Sequence, residues 1–409
     1  MLKLKINVIL LLLISTVAAS AQTNSYKFKR DITGINSIWH SMKLPDQMYK
    51  NANAGFDDLR IFGINGKDTI EVPYLLKQRA DRIISTKIGF KSVNESANAN
   101  GYYFTFQLNS VTTINQINLA FKETNFNWLV TLEGSNSNKE WFTVLKDYRI
   151  LSIKNDDTDY QFTKLSFPDS KYQYYRLMIK STEKPGILEA LINKTDTIKG
   201  TYQDVKYKSF ELKNNAVDKE TIINVALENP VPLSYLKLKA QSDFDFYRSI
   251  KIEYVTASFK TDKGIQYNYA DLYEGTISSL EKAEYHFDNT ITSRLKITIL
   301  NNDNRPLRLS DLELKGNIFE IVARFDNPKL NYALYYGNEK ATSPSYDLEK
   351  FESKIPSNLT TVSAGDEQKN SAYSIITEKP LFENKAWLWV LMAIIIALLG
   401  WFSFKMLRN

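Results

Sequence analysis

The chain has no cysteine. That excludes disulfides, thiolate zinc sites, cysteine nucleophiles and a lipidated N-terminal cysteine. Histidine is nearly as scarce: only His40 and His286 occur, which leaves little for histidine-based metal or triad chemistry. Glycine (15) and proline (11) are too few among 409 residues for a collagen or a low-complexity linker protein. No Walker loop, GxSxG elbow, HExxH pair or dinucleotide fingerprint is found in the sequence. What is abundant is aromatic. The 24 Tyr and 22 Phe favour strands over helices, and 43% hydrophobic with 24% charged residues is ordinary globular composition. At roughly 150 residues per domain, the length predicts two to three domains.

Both ends read as targeting segments. At the start, Lys3 and Lys5 precede the apolar run Val8 to Ile14, and Ala19-Ser20-Ala21 supplies the small residues a signal peptidase requires. This predicts a cleaved signal peptide over 1–21 with Gln22 as the new N-terminus, in preference to an uncleaved anchor helix. At the other end, Ser403 is the one polar residue from Ala386 to Phe404. As a helix that run spans ~28 Å at ~1.5 Å per residue, close to the bilayer hydrocarbon core. Trp387, Trp389 and Trp401 lie near its ends, and Lys405 and Arg408 follow, which predicts a cytoplasmic C-terminus. Removing both segments takes away four of the 52 basic residues and none of the 46 acidic ones, leaving a net charge of +2 in place of +6. The basic excess is therefore no argument for nucleic acid binding.

The region between alternates with period two. Leu59 to Ile64, then Asn65-Gly66, then Thr69 to Tyr74 predicts a hairpin with a type I′ turn at Asn65-Gly66. Ile117, Leu119 and Phe121 share one strand face, as do Val130 and Leu132, Leu165 and Phe167, and Tyr175, Leu177 and Ile179. Short strands separated by turn residues predict an antiparallel sandwich. The pattern recurs: 117–135 aligns with 236–255, and 164–180 with 284–299. Leu119 falls on Leu238, Phe167 on Phe287, Arg176 on Arg294, Ile179 on Ile297 and Leu191 on Leu312, at offsets of 118 to 121. A near-constant offset predicts two copies of one sandwich, with 195–215 as a polar junction. A strand pair at Phe319 to Phe325 and Tyr332 to Tyr336 either closes the first module or forms a small third one. Residues 352–385 read as a flexible stalk reaching ~30–35 Å.

Ile117 to Phe121, Leu132-Glu133-Gly134-Ser135 with Trp141 beyond, and Tyr174 to Leu177 resemble a discoidin or factor 5/8 type C domain, the galactose-binding-like sandwich. The resemblance covers about 80 residues and lacks that family's cysteines; the second copy matches by repeat more than by motif. Asp58-Leu59-Arg60-Ile61-Phe62, Gly66, Val72-Pro73-Tyr74, Leu334 to Asn338, Tyr346-Asp347-Leu348 and Leu398 to Trp401 resemble an uncharacterised bacterial family of envelope proteins with a signal peptide and one C-terminal span. That resemblance implies architecture and topology and supplies no activity. The fold class expected is all-β: tandem antiparallel β-sandwiches of galactose-binding-like jelly-roll type plus one C-terminal transmembrane helix. The expected division is 1–21 signal peptide, 22–100 N-terminal β module, 101–194 first sandwich, 216–316 second sandwich, 317–351 small β segment, 352–385 stalk, 386–404 transmembrane helix and 405–409 cytoplasmic tail.

Candidate sites are few. Asp156, Asp157 and Asp159 share a loop whose carboxylates could ligate Ca²⁺; a solvated turn is the preferred reading, and Asp243 with Asp245 repeats the ambiguity. Asp57 and Asp58 are adjacent in a strand pattern, face opposite ways and cannot form a hydrolytic dyad by themselves. Trp128 and Trp141 could stack on sugar rings, but the discoidin pattern implies a core position for Trp141. Trp39 and His40 lie between apolar residues and read as buried. The expectation is therefore no catalytic residues, no cofactor and no metal. The function expected is that of a non-enzymatic, single-pass protein of the bacterial inner membrane. Its sandwiches face the periplasm and bind an envelope glycan or protein. The alternatives are an accessory subunit of a multi-pass inner-membrane protein and, behind it, an envelope glycosidase.

Overall fold

The computed structural model describes residues 23–66, 68–155, 159–262, 264–374 and 385–407. The signal-peptide reading, and the part of the stalk at 375–384, lie outside them. The described chain is mostly strand and falls into two compact units. One gathers the residues up to His40, Asn51–Tyr74 and those from Ala323 onward; the other holds Ser41–Lys50 and Leu75–Val322.

The first unit is built on an antiparallel sheet in the order Ser363–Ala364, Phe28–Thr33, Asn331–Tyr336, Arg60–Asn65, Asp68–Val72. Its apolar residues alternate as the sequence predicts, and Ile61 and Leu334, which face each other across two strands, are fully buried. The hairpin forms, but the turn sits one residue later than expected. Asn65 pairs with Asp68, so Gly66, at φ +60°, opens the two-residue loop. The pair predicted at Phe319 to Phe325 and Tyr332 to Tyr336 is not a hairpin. Phe319–Arg324 lies in another sheet, while Asn331–Tyr336 closes the first module by pairing with Phe28–Thr33 and Arg60–Asn65. The stalk reading also needs correction. Ser363–Ala364 and Gln368–Lys369 both add to Phe28–Thr33. Arg30, buried, donates to the Gly365 carbonyl at 2.7 Å and to the Tyr336 hydroxyl at 2.8 Å, and that hydroxyl donates to Glu367 at 2.8 Å. Polar, turn-rich sequence is here edge strand, its polarity spent on fixed partners.

The second unit contains two sandwiches with one strand order. In the first, one layer runs Phe90–Asn98, Gly101–Leu108, Tyr174–Lys180, Phe126–Ser135, Phe142–Lys154, with Asp159–Phe162 at the edge. The other runs Arg82–Lys87, Ile187–Ile198, Ile114–Phe121, Lys164–Ser170. In the second sandwich two long strands, Glu220–Gln241 and Glu284–Leu300, bend and serve both layers, their pairing breaking register between Ala226 and Val231. One layer then reads Tyr207–Asn215, 220–227, 294–300, Tyr247–Thr261, Gly264–Ser278, and the other Tyr202–Asp204, Arg308–Asn317, 231–241, 284–292. Strand for strand this is the order of the first. Ile179 pairs with Val130 and Tyr102, and Ile297 with Ile252 and Ile223; both isoleucines are fully buried. Leu119 and Leu238 are each 4% exposed.

One equivalence is off by a residue. Leu119 faces Ala190, not Leu191, whereas Leu238 faces Leu312. Ala190 is therefore the counterpart of Leu312, and Leu191 points to the other face, because a slip of one residue turns a strand over. The boundaries shift too. Arg82–Lys87 and Phe90–Asn98, placed by sequence in the N-terminal module, are edge strands of the first sandwich. Most of 195–215 is not a junction but strand, pairing with 82–85, with 315–317 and with 220–227.

Asp311 ties the layers of the second sandwich at its rim. It accepts from Lys239 Nζ at 2.8 Å, Tyr207 Oη at 2.7 Å and its neighbour Leu312 N at 2.8 Å, and these donors, Lys239 first, hold its carboxyl at about 2. A carboxyl lowered by folding contributes stability that is present above its unfolded value near ~4 and lost as pH falls toward the folded one. Asp311→Asn should therefore flatten the drop in thermal midpoint between pH 4 and 2. An unchanged slope for that variant would refute the assignment.

At the C-terminus Lys385–Leu407 forms a helix of 23 residues. The fold-class expectation of a transmembrane helix is not reached here: among the described residues no helix is long and apolar enough to cross a membrane. Its side chains are described without a gap over Leu391–Met406 only, and these are exposed.

Candidate functional site

The first unit carries an open cleft of about 600 Å³. Trp39 and Pro73 line it, together with Arg324 and the Tyr346 to Lys354 segment. That segment is a 3-10 helix, Asp347–Lys354, broken by a non-helical backbone at Phe351. The kink leaves the Phe351 ring 48% exposed on the cleft wall, with Lys354 Nζ 4.9 Å from its centroid. Tyr346 is fixed where Phe351 is open. Its ring meets Tyr74 edge-on at 5.4 Å, its hydroxyl donates to Glu71 Oε1 at 2.5 Å, and Glu71 pairs with Arg60 Nε at 3.3 Å. Burial, followed by the bond to Glu71, pushes the Tyr346 hydroxyl well above the usual phenol range, so it stays protonated. The cleft thus offers three aromatic rings (Trp39, Tyr346 and Phe351) and the charged ends of Arg324, Asp347 and Lys354. Such a surface binds by stacking and hydrogen bonding.

The neighbouring His40 is fully buried, as its sequence context suggests. Its Nε2 accepts from the backbone N–H groups of Asn36 and Ser37 at 3.2 and 3.1 Å, and Nδ1 lies 2.7 Å from Thr360 Oγ1. With its lone pair held by main-chain donors, it pins a loop and is not placed to act as a base. Trp39, read as buried, is instead half-exposed on the cleft.

The carboxylate candidates resolve into structural partners. Asp58 is fully buried and accepts three backbone N–H groups, from Gly337 at 2.5 Å, Asn53 at 3.0 Å and Asn338 at 3.3 Å. Asp57 accepts from Ser343 Oγ. Asp243 pairs with Arg308, and Asp245 with Arg149 and Ser279, which spends the oxygens a Ca²⁺ ion would need. Asp159 pairs with Lys154 at 2.7 Å; Asp156 and Asp157 lie outside the described residues. Among the described residues no group of three or more His, Asp or Glu side chains could hold a metal.

The tryptophans separate. Trp128 stacks on Phe126 at 4.0 Å and packs against the core of the first sandwich. Trp141 does not enter that core. Its ring lies under the Arg176 guanidinium at 4.1 Å, on the outer sheet face, and Arg176 also pairs with Glu133 at 2.7 Å. The glycine of the discoidin-like motif has a packing cause: a Cβ on Gly134 would stand 2.1 Å from the Tyr172 ring. Ser135 Oγ then accepts from Ser137 N and Asn138 N to shape the turn before Trp141.

No family model matches the chain, and no curated protein matches it. Solved structures do. The CBM32-1 and CBM32-2 domains of ZmpB from Clostridium perfringens match at 10% identity, over 62% of this chain and 94% of that one, with a TM-score of 0.21. A truncated AlyQ with CBM32 and alginate lyase domains matches at 11% identity, over 64% and 98%, with a TM-score of 0.20. Discoidin II of Dictyostelium discoideum matches at 9% identity, over 58% and 83%, with a TM-score of 0.19. The first carries CBM32 domains, the second a CBM32 and an alginate lyase domain, and the third is a discoidin; the fold assignment here rests on strand order and register.

Proposed function

We propose that this protein is a non-enzymatic, membrane-anchored protein of the bacterial envelope that binds a glycan in the cleft of its first unit. The observation that carries the reading is the cleft itself. Half-exposed Trp39, anchored Tyr346 and open Phe351 supply apolar ring faces, which suit the C–H faces of a sugar. Arg324, Asp347 and Lys354 at the rim supply donors and an acceptor for its hydroxyls. The candidate carboxylates are held by arginines, lysines, hydroxyls or main-chain donors, which supports binding over hydrolysis. The sequence run 386–404 and the basic Lys405 and Arg408 support a single-pass anchor in the inner membrane with a cytoplasmic C-terminus, the sandwiches in the periplasm.

The test is a glycan array probed with the full chain in detergent, followed by calorimetry on any sugar retained. Trp39→Ala and Phe351→Ala should each weaken binding roughly 3- to 10-fold, since an aromatic contact contributes about 0.5–1.5 kcal/mol beyond its buried area. No retained sugar, or affinity indifferent to both changes, would sink the reading. The exposed apolar faces of Trp389 (68%) and Trp401 (71%) favour a second reading, an accessory subunit whose helix is itself the interface. Replacing 386–404 by an unrelated span separates the two, because glycan retention should survive the exchange and a helix-borne partnership should not.

A further inference from the structure

Away from that cleft, the second sandwich buries an arginine without a counter-charge. Arg248, on strand Tyr247–Thr261, is 5% exposed. Its Nη1 donates to Asn301 Oδ1 and its Nη2 to the Arg305 carbonyl at 2.7 Å. Asn301 is itself held, donating from Nδ2 to Thr221 at 2.9 Å and from its backbone N–H to the Lys219 carbonyl at 2.8 Å, so the guanidinium is firmly positioned. A guanidinium carries five N–H donors; three of these have no partner among the described residues. No described carboxylate pairs with Arg248; Asp245 is engaged by Arg149 and Ser279, and Asp243 by Arg308. Burial alone draws the guanidinium down from its usual range, but it remains charged.

The unbonded donors belong to a residue that lines a cavity of about 190 Å³. Asp245, Phe246, Tyr247, Asn302 and Asn304 wall it from the second sandwich, the Asp245 carboxylate being neutralised by Arg149 and held by Ser279, and Asn155 walls it from the first. Counting ~30 Å³ per water, the space holds about six waters or one small polar molecule. The wall residue Tyr247 is held by a contact between the sandwiches: Tyr160 stacks on it at 6.5 Å, and the Tyr160 hydroxyl bonds Ser278 and Glu281, each at 2.9 Å.

We propose that this cavity is a binding site for a small oxyanion, seated on the Arg248 guanidinium. A buried, unpaired charge is costly because its lost hydration is not replaced. A planar carboxylate or a phosphate replaces it with two parallel charge-assisted bonds, the geometry that a guanidinium favours over an ammonium. The Asn302 amide offers a further polar contact, Asn304 Nδ2 is bonded to the Asn301 carbonyl at 3.3 Å, and the rings of Phe246 and Tyr247 limit the ligand's size. The carboxylate of an acidic sugar and free inorganic phosphate share this chemistry. The site is independent of the Trp39 cleft.

The test is calorimetry on the full chain in detergent with glucuronate, glucose and inorganic phosphate at constant ionic strength, alongside thermal melts. Glucuronate or phosphate should bind with one site and raise the melting midpoint, and glucose should do neither. Tighter glucuronate points to a sugar-borne carboxylate; tighter phosphate points to the free ion. Arg248→Met should abolish binding, and Arg248→Lys should weaken it at least ~10-fold, because an ammonium loses the paired geometry. Asn304→Trp, at an exposed position on the cavity wall, should block entry without touching the core and keeps the test decisive if an Arg248 variant fails to fold. Trp39→Ala should leave oxyanion binding intact. Binding by neither anion, or binding unchanged in Arg248→Met and Asn304→Trp, would overturn the proposal.

Discussion

Asp58→Ala should destabilise the first unit by about 3–5 kcal/mol. The carboxylate is fully buried and receives the N–H groups of Gly337, Asn338 and Asn53. Removing it strands three donors away from water, at roughly 1–3 kcal/mol each before relaxation. Gly337, at φ +83°, cannot readily turn its N–H elsewhere without breaking the end of strand Asn331–Tyr336. The pH dependence has a definite sign. Burial outweighs the three bonds and raises the Asp58 carboxyl above its unfolded value. Its contribution is therefore fully present below that value and declines as pH rises through the folded one, opposite in direction to Asp311. Urea unfolding of the full chain at pH 7, with hydrogen exchange read at residues 331–338, measures the loss. A change below ~1 kcal/mol would mean the three donors find other partners.

Ile179→Ala and Ile297→Ala should each cost about 2–5 kcal/mol, and by similar amounts. Both side chains are fully buried at the matching position of the two sandwiches, between the corresponding strands of each. The cost combines lost transfer energy with the cavity left behind, and cavity cost follows the surroundings, which the shared strand order makes alike. Lys237→Ala, half-buried and paired with Glu284 at 2.9 Å, should change stability by well under ~1 kcal/mol. Denaturation midpoints of the three variants decide it. A loss at Ile179 with none at Ile297 would break the equivalence of the two copies.

The period-two strands of both sandwiches and their repeat near offset 120 could be read directly from the chain, because alternation is a local property of a half-buried sheet. The same reasoning missed Arg82–Lys87, whose residues are all exposed and so show no alternation. It placed Leu191 one position out because an insertion between strands leaves no mark on the pattern within them. It could not say that Gln368–Lys369 and Ser363–Ala364 close a sheet, since polar edge residues look like linker until their partners are known.

The sites were least legible. Trp39 and Tyr346 meet in one cleft though 307 positions apart, and Asp58 meets Gly337 across 279. Arg248 shares the inward face of its strand with Ile250 and Ile252, and only the fold brings Asn301 and the Arg305 carbonyl to its guanidinium. Local periodicity, composition and the residue types thus determined strand identity, the duplication and the absence of catalytic motifs. Which residues share a cleft, which charge is left unpaired and which polar segment becomes an edge strand were decided only by tertiary structure, because those properties depend on contacts between segments that no local pattern encodes.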